Sequence, residues 1–376
     1  MKGVVQIAKF FGIPVQVHWT FLLIFVWVLA KGFGEAWDWE TMAWMMGFVL
    51  AIFGCVVLHE FGHALTARRY GVDTRDIILS PIGGVARLDR LPENPVHEFM
   101  VAVAGPMVNV VIGLVLSAQP LLTSDHSRSK FYNFFMSLAY PNSNIFSVGL
   151  SGWDYFLFGL IFLNIILAIF NMVPAFPMDG GRVLRALLSI RLGRLKATRI
   201  ATYVGQVLAV GLVAFGVWQF SIITAVIGIF VFVMAANEYK MVRFDGILSK
   251  HAVSDIMRPE YTPLYTDQPL STAFEQMQHS TERHFLVFDE WHNLIGTLGE
   301  RKLVKLAKDK KLDPALTPMA EVLRPFPNTL LPADPLDEAY GKVYWKGRGI
   351  LPVFDQGKLV GVVDENGLSG LLKVKR

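Results

Sequence analysis

Long runs of apolar residues fill the first two thirds of this chain and restrict what it can fold into. Six segments are close to the roughly 20 helical residues needed to cross a hydrocarbon core about 30 Å thick. They are residues 17–34, 42–67, 98–119, 153–172, 199–218 and 220–238. Because lipid offers no partner to a backbone N–H or C=O group, we expect each run to be a helix that satisfies its own backbone. The pattern predicts a polytopic α-helical membrane protein with about six spans.

The composition changes after about residue 240. The chain as a whole is 53% hydrophobic, whereas residues 250–376 have the composition of an ordinary soluble protein. We therefore predict a transmembrane core over residues 1–245 and a soluble domain over residues 246–376. The single cysteine, Cys55, excludes an intramolecular disulfide and a cysteine-rich zinc site.

Basic residues are distributed unevenly among the loops. The stretches 68–90, 182–199 and 240–250 are rich in Lys and Arg, whereas the loop at 35–40 is acidic. Cytosolic loops carry the excess of basic residues, so this asymmetry predicts a multi-pass protein of the cell membrane with both termini in the cytosol. The net charge of only +4 fits that topology and gives no reason to expect a nucleic-acid partner.

One predicted span contains three ionisable residues within five positions. The run His59-Glu60-Phe61-Gly62-His63 follows an almost wholly apolar stretch. Two histidines four residues apart lie on one face of a helix and can share a zinc ion, and Glu60 is placed to polarise a water on that ion. The five-residue pattern alone is weak, since it also occurs by chance. Its position in a membrane helix, where ionisable groups are costly, favours a functional site.

A second polar cluster follows the fourth span. Asn164 and Asn171 lie in that span, and Met172-Val173-Pro174-Ala175-Phe176-Pro177-Met178-Asp179-Gly180-Gly181 comes after it. A catalytic zinc ion held by two histidines needs a third protein ligand and an open position. Asp179 is the best candidate, because it closes an apolar span on the same side of the membrane as His63. The alternative for Asp179-Gly180-Gly181 is a simple turn after a helix.

The two clusters on separate spans resemble the site-2 protease family of intramembrane zinc metalloproteases. The resemblance covers most of residues 1–240 and includes Gly83-Gly84-Val85-Ala86-Arg87 and Ala104-Gly105-Pro106 with Asn109. It implies one zinc ion per chain, held by the three ligands His59, His63 and Asp179.

The resemblance also implies roles for the remaining polar residues. Glu60 would act as general base and acid, and Asn171 would stabilise the transition state or position the substrate. Asn164 is a weaker candidate for substrate positioning, because an amide in a membrane helix can simply bond a neighbouring helix. The substrate must be non-helical to expose its carbonyls, and the strand-like segments 4–17 and 77–86, with Gly83 and Gly84, can hold it by edge pairing. Plain structural sheet is the alternative for these segments.

The soluble domain contains an internal repeat. Asp255-Ile256-Met257-Arg258-Pro259 matches Glu321-Val322-Leu323-Arg324-Pro325, and Val287-Phe288-Asp289 matches Val353-Phe354-Asp355 at the same offset. Apolar strands alternate with amphipathic helices, which predicts two similar α/β units. The domain resembles a tandem pair of CBS domains, with repeats at about 250–310 and 316–376.

CBS pairs bind adenine nucleotides in many proteins through a stretch of the form Gly-x-x-Thr-x-x-Asp-Leu. Here the Thr position holds Gly299 or Asp364, and the Asp position holds Lys302 or Gly367. Both repeats lack the pair, which argues against ATP or AMP. Dimerisation of two copies or docking of substrate is the alternative role.

The whole sequence predicts a metalloendopeptidase that cleaves transmembrane or membrane-tethered proteins near the cytosolic face, with its CBS pair as a candidate regulator. The alternative is a catalytically silent or CBS-gated membrane-protein-binding or transport protein. A transporter would be expected to carry charged residues along several spans, and a silent relative to have lost a ligand or the base.

Overall fold

A computed structural model describes residues 3–81, 83–88, 92, 94–139, 150–308, 313–325, 329–340, 349–364 and 367. Ile82, in the predicted segment 77–86, and residue 368 onwards, at the end of the second repeat, lie outside the described residues. The chain divides into two compact units, Met1–Lys240 and Met241–Arg376.

The first unit is built mainly from apolar helices. They are α1 (Leu22–Gly34), α2 (Trp39–Arg69), α3 (Pro95–Thr123), α4 (Asp125–Ala139), α5 (Gly152–Asn171), α6 (Asp179–Leu192), α7 (Arg194–Trp218) and α8 (Ile222–Leu248), which continues past Lys240 into the second unit. Within the described residues, α2, α3, α5, α7 and α8 are long and apolar enough to cross a membrane. The run predicted as the first span forms a 3-10 turn, Trp19–Phe21, and then α1, whose 13 residues rise only about 20 Å. The fold is thus a polytopic helical membrane protein with about six apolar helices, as predicted.

Three of the long helices, α2, α3 and α5, begin after a residue whose side chain accepts a hydrogen bond from one of their first N–H groups. The side chain of Asp38 accepts a hydrogen bond from the backbone N–H of Thr41 at the start of α2. Asn94 caps α3 in the same way, and Ser151 forms a capping box with Asp154 at the start of α5. Each cap gives a partner to an N–H group that has none within the first turn of its helix.

Two pairs of short strands form one four-stranded sheet. The strands are β1 (Val4–Phe10), β2 (Ile13–His18), β3 (Thr74–Ser80) and β4 (Gly83–Leu88), in that order across the sheet. The central pair β2–β3 is parallel and the other two pairs are antiparallel. One sheet face packs on α2, where Phe61 and Ala64 join a buried cluster with Ile13, Ile77 and Leu79. The sheet therefore covers the half of α2 that carries the histidines.

The second unit contains two similar α/β repeats. Its elements are β5 (Pro263–Tyr265), α9 (Leu270–His279), β6 (His284–Phe288), β7 (Leu294–Gly299), α10 (Glu300–Ala307), β8 (Arg324–Pro325), α11 (Leu336–Tyr340), β9 (Ile350–Asp355) and β10 (Lys358–Asp364). The strands form a four-stranded sheet, β5-β6-β7-β8, and a two-stranded sheet, β9-β10.

The repeats have the same pairing and exchange segments. Leu264 pairs in parallel with Val287 in the first repeat, and Leu330 pairs in parallel with Val353 in the second. Arg324 of the second repeat pairs with β7 of the first, and Arg258 of the first repeat pairs with β10 of the second. This reciprocal pairing is the arrangement expected for a tandem CBS domain, and in both repeats it involves the arginine of the Arg-Pro dipeptide.

Candidate metal centre

Three buried side chains from two helices converge at one point. His59 and His63 lie on the last third of α2, and Asp179 is the first residue of α6. The Nε2 atoms of the two histidines are 3.1 Å apart, and each is 3.2 Å from Oδ2 of Asp179. Within the described residues this is the one group of His, Cys, Asp and Glu side chains with metal-ligand geometry. The structure therefore brings together the three residues that were predicted as ligands.

The far side of each imidazole ring faces an oxygen acceptor. Nδ1 of His63 lies 2.7 Å from the carbonyl oxygen of Val101 on α3. Nδ1 of His59 hydrogen-bonds to Oδ1 of Asn109, which is also on α3. Since a carbonyl oxygen can only accept, the Nδ1 atoms carry the protons, and the Nε2 lone pairs are left facing the centre.

This donor set fits a zinc ion. Three electron-pair donors that lie 3.1–3.2 Å apart repel one another unless a cation binds between them. Ligand atoms at about 2.0–2.1 Å from a tetrahedral zinc ion are about 3.3 Å from each other, close to the observed spacing. Two histidines and one carboxylate also leave the fourth position that a catalytic zinc site keeps open.

A glycine on α3 provides the space around the ligand atoms. A Cβ atom built on Gly105 would lie 2.2 Å from Nε2 of His63 and 2.7 Å from Nε2 of His59. A Cβ atom on Gly62 would lie 2.8 Å from the carbonyl oxygen of Ala104, so this glycine lets α2 approach α3 closely. The two glycines thus position α3 directly behind the metal centre.

Glu60 lies next to the outer edge of strand β4. Its Oε2 atom accepts a hydrogen bond of 2.9 Å from the backbone N–H of Ala86. A Cβ atom on Gly84 would lie 2.9 Å from Cγ of Glu60, so only glycine allows this strand to pass so close. Because α2 carries Glu60 between the two histidines, the same helix presents a half-buried carboxylate beside the metal centre.

The helix that begins with Asp179 is held by buried charges. Arg185 of α6 is fully buried and pairs with Oε1 of Glu98 on α3 at 2.6 Å and Oε1 of Glu238 on α8 at 2.7 Å. Its guanidinium also lies 5.1 Å from the ring centroid of Phe176, in the loop before α6. These contacts connect α6 to two spanning helices and fix the direction from which Asp179 enters.

The two asparagines predicted from the fourth span lie in different surroundings. Asn164 is 1% exposed. Its side chain hydrogen-bonds to that of Asn109 and does not face an open cavity. Asn171 is the last residue of α5 and is half-buried, and in the described part of the chain it joins none of the contacts above. Sequence reasoning noticed Asn109 but did not place it at the centre, because a single amide in an apolar helix does not reveal its partner.

In the second unit, charged side chains occupy two of the four positions that differ from the nucleotide-binding pattern. Asp364 is buried and accepts a hydrogen bond of 2.7 Å from Arg258, which also pairs with Glu282. Burial and the charge of Arg324 lower the pKa of Lys302. A buried carboxylate thus stands where a threonine hydroxyl would be expected.

Membrane-length helices with a split two-histidine, one-carboxylate centre define the class of intramembrane zinc metalloproteases. The sequence model of peptidase family M50 matches residues 47–215, and that of the CBS domain matches residues 253–309. Zinc metalloprotease MJ0392 of Methanocaldococcus jannaschii is 32% identical, over 88% of this chain and 90% of that protein. The chain belongs to peptidase family M50, the site-2 proteases.

Two further relatives are similar over large parts of the chain. The putative zinc metalloprotease Rip3 of Mycobacterium tuberculosis is 26% identical, over the whole chain and 94% of that protein. The solved structure of the site-2 protease from Methanocaldococcus jannaschii is 34% identical, with a TM-score of 0.43, over 63% of this chain and 95% of that chain. The protein is an integral membrane metalloendopeptidase that uses zinc, with a CBS pair after its catalytic core.

Proposed function

We propose that this protein hydrolyses peptide bonds of transmembrane or membrane-tethered proteins near the cytosolic face of the cell membrane. His59, His63 and Asp179 would hold one zinc ion, and Glu60 would act as the general base and acid. The observation that carries the proposal is the convergence of three buried donor atoms within 3.2 Å of one another, two of them on the helix that also carries the Glu60 carboxylate.

The chain's own residues account for the proton transfers. Zinc bound here would supply a Lewis acid for the attacking water and the scissile carbonyl. The Ala86 N–H holds Oε2 of Glu60, which fixes the orientation of the other carboxylate oxygen. Glu60 takes a proton from water as it attacks the peptide carbonyl and returns it to the leaving amine. Asn171, at the end of α5, is proposed to donate a hydrogen bond to the developing oxyanion.

Strand β4 is the proposed docking edge for an unwound substrate. It is the last strand of its sheet, and the Ala86 N–H points outward to Glu60. Alternate residues of a strand direct their backbone groups to the same edge, so the backbone of Gly84 also points outward. A substrate strand added there would expose its carbonyls beside Glu60, whereas the carbonyls of a helical substrate stay hydrogen-bonded.

Topology and regulation complete the proposal. The basic stretches 68–90, 182–199 and 240–250 support cytosolic termini and a site near the cytosolic end of α2. We propose a catalytic core over residues 1–245 and a regulatory domain over residues 246–376 that controls substrate access or pairs two copies of the chain. Buried Asp364 argues against an adenine nucleotide as the signal.

Metal analysis of purified variants tests the zinc site. Wild type is expected to bind one zinc ion per chain and to cleave a model membrane substrate. His59→Ala, His63→Ala and Asp179→Ala should lose both the zinc and the cleavage, whereas His126→Ala, which changes an exposed histidine, should keep both. Stoichiometric zinc together with cleavage in His59→Ala would contradict the proposal.

A further inference from the structure

We infer that Asn109 and Asn164 are positioning residues that hold the ring of His59 in its metal-binding tautomer, through a chain of hydrogen bonds that ends at the backbone of α5. The inference rests on the proposed zinc site. It adds no metal ligand and no general base. It assigns Asn164 the task of orienting other side chains and not that of contacting the substrate.

The donor and acceptor of each hydrogen bond in this series follow from the last bond, which ends at a backbone carbonyl oxygen. The carbonyl oxygen of Leu160 can only accept, so Asn164 donates to it through Nδ2 at 2.8 Å. The same NH2 group lies 3.3 Å from Sγ of Cys55 on α2. The Oδ1 atom of Asn164 is therefore left to accept from Nδ2 of Asn109, at 2.9 Å.

The orientation of Asn109 in turn determines which nitrogen of His59 carries the proton. With Nδ2 of Asn109 committed to Asn164, Oδ1 faces Nδ1 of His59 and accepts from it. A reversed amide would offer a donor to Nδ1 and would favour the tautomer with the proton on Nε2, which leaves no lone pair on the nitrogen that faces the metal centre. The two amides thus select the tautomer, and a backbone carbonyl sets the direction of both.

Because both amides are buried, this arrangement of hydrogen bonds is strongly favoured over the alternatives. Asn109 and Asn164 are 0% and 1% exposed, and they bridge α2, α3 and α5 inside the membrane unit. A buried amide without partners costs free energy, so a complete network is strongly preferred over a partly broken one. His63 differs from His59, because its Nδ1 faces the backbone carbonyl of Val101. Substitution of Asn109 or Asn164 can therefore remove the hydrogen bond that orients His59, while the bond from His63 to the Val101 backbone stays in place.

The test is zinc affinity, measured by competition with a chromophoric chelator in detergent. Asn109→Leu removes the acceptor at similar volume and should weaken zinc binding by about 10- to 100-fold. Asn164→Leu should weaken it in the same direction by a smaller factor, and it provides the test if Asn109→Leu does not fold. Ser117→Ala, which removes a side-chain hydrogen bond elsewhere on α3, should leave the affinity unchanged.

Cobalt substitution gives a readout independent of activity. The visible spectrum of the Co²⁺-loaded protein should change in Asn109→Leu and stay as in wild type in Ser117→Ala. Wild-type zinc affinity and an unaltered spectrum in both asparagine variants would overturn the inference, and so would a raised KM in Asn164→Leu with unchanged zinc affinity, which would indicate contact with substrate. A wild type that binds no zinc would instead overturn the proposed function.

Discussion

At the scale of single residues, the missing side chain of Gly105 is as important as the ligands themselves. Both Nε2 atoms lie within 2.7 Å of where its Cβ atom would be. No rotamer of a larger residue avoids this contact, since a Cβ atom is fixed by the backbone. The ligand atoms can meet only because α3 carries no side chain at this point.

The Gly105→Ala variant should bind zinc at least about 10-fold more weakly than wild type, because the added methyl group displaces His63 from its ligand position. Gly113→Ala is the matched control on the same helix. Its added Cβ would lie 3.6 Å from Ile165, an ordinary contact, so its zinc affinity should match wild type. Chelator competition measures both, and equal zinc affinity in Gly105→Ala and wild type would contradict this role.

Spacing along the sequence could predict residues whose partners are near in sequence, but not residues whose partners are distant. His59 and His63 are one helical turn apart, so their spacing alone places them together. Asn109 and Asn164 are separated by 55 residues, and their pairing appears only when α3 packs on α5. Asp179 was predicted because zinc needs a third ligand, an argument from chemistry and not from pattern.

At the scale of elements, the position of α6 depends on one buried arginine. Arg185 connects α6 to Glu98 on α3 and Glu238 on α8, and all three side chains lie in the membrane unit. Removing one member of a buried ionic group leaves the others without compensation, which costs more than the intact group contributes. The helix that carries Asp179 is therefore sensitive to substitution far from the metal.

Arg185→Ala should lower the free energy of unfolding by about 3–5 kcal/mol, because it leaves two carboxylates without their partner. It should also weaken zinc binding, since α6 loses its attachment to α3 and α8. Arg191→Ala, at the exposed end of α6, should change stability by no more than about 0.5 kcal/mol. Denaturation in detergent measures the stability of both variants. Equal stability of Arg185→Ala and wild type would contradict the role of Arg185 in holding α6 to α3 and α8.

Hydropathy predicted the long helices better than the short elements. The spans predicted at 42–67 and 153–172 appear as Trp39–Arg69 and Gly152–Asn171. The amphipathic helices α4 and α6 were not predicted, because a search for apolar runs passes over helices with a polar face. The strands were visible as short β-branched runs, but their order in one sheet depends on contacts between residues far apart in sequence.

At the scale of the whole molecule, the chain combines a membrane enzyme with a repeated soluble domain. The repeat could be predicted from a constant offset between matching residues. In the structure, equivalent residues of each repeat form the same strand pairing within that repeat. The identity of the substrate could not be predicted from the sequence, because a strand edge binds backbone groups that every polypeptide shares.

AMP and ATP should bind the full-length protein weakly or not at all, because buried Asp364 would repel a phosphate and already pairs with Arg258. Thermal unfolding with each nucleotide at millimolar concentration should show no shift in Tm. Isothermal titration calorimetry provides an independent check. A saturable shift would show that this CBS pair binds nucleotide despite the departures at Gly299 and Lys302.

The Glu60→Gln variant tests the central claim most directly, with zinc content and cleavage of a model membrane substrate measured on the same samples. Glutamine keeps the shape of the side chain and an acceptor for the Ala86 N–H, but it cannot take up a proton. The variant should therefore bind one zinc ion per chain and lose cleavage by at least about 100-fold. Cleavage at the wild-type rate by zinc-loaded Glu60→Gln would show that the hydrolysis does not depend on this carboxylate.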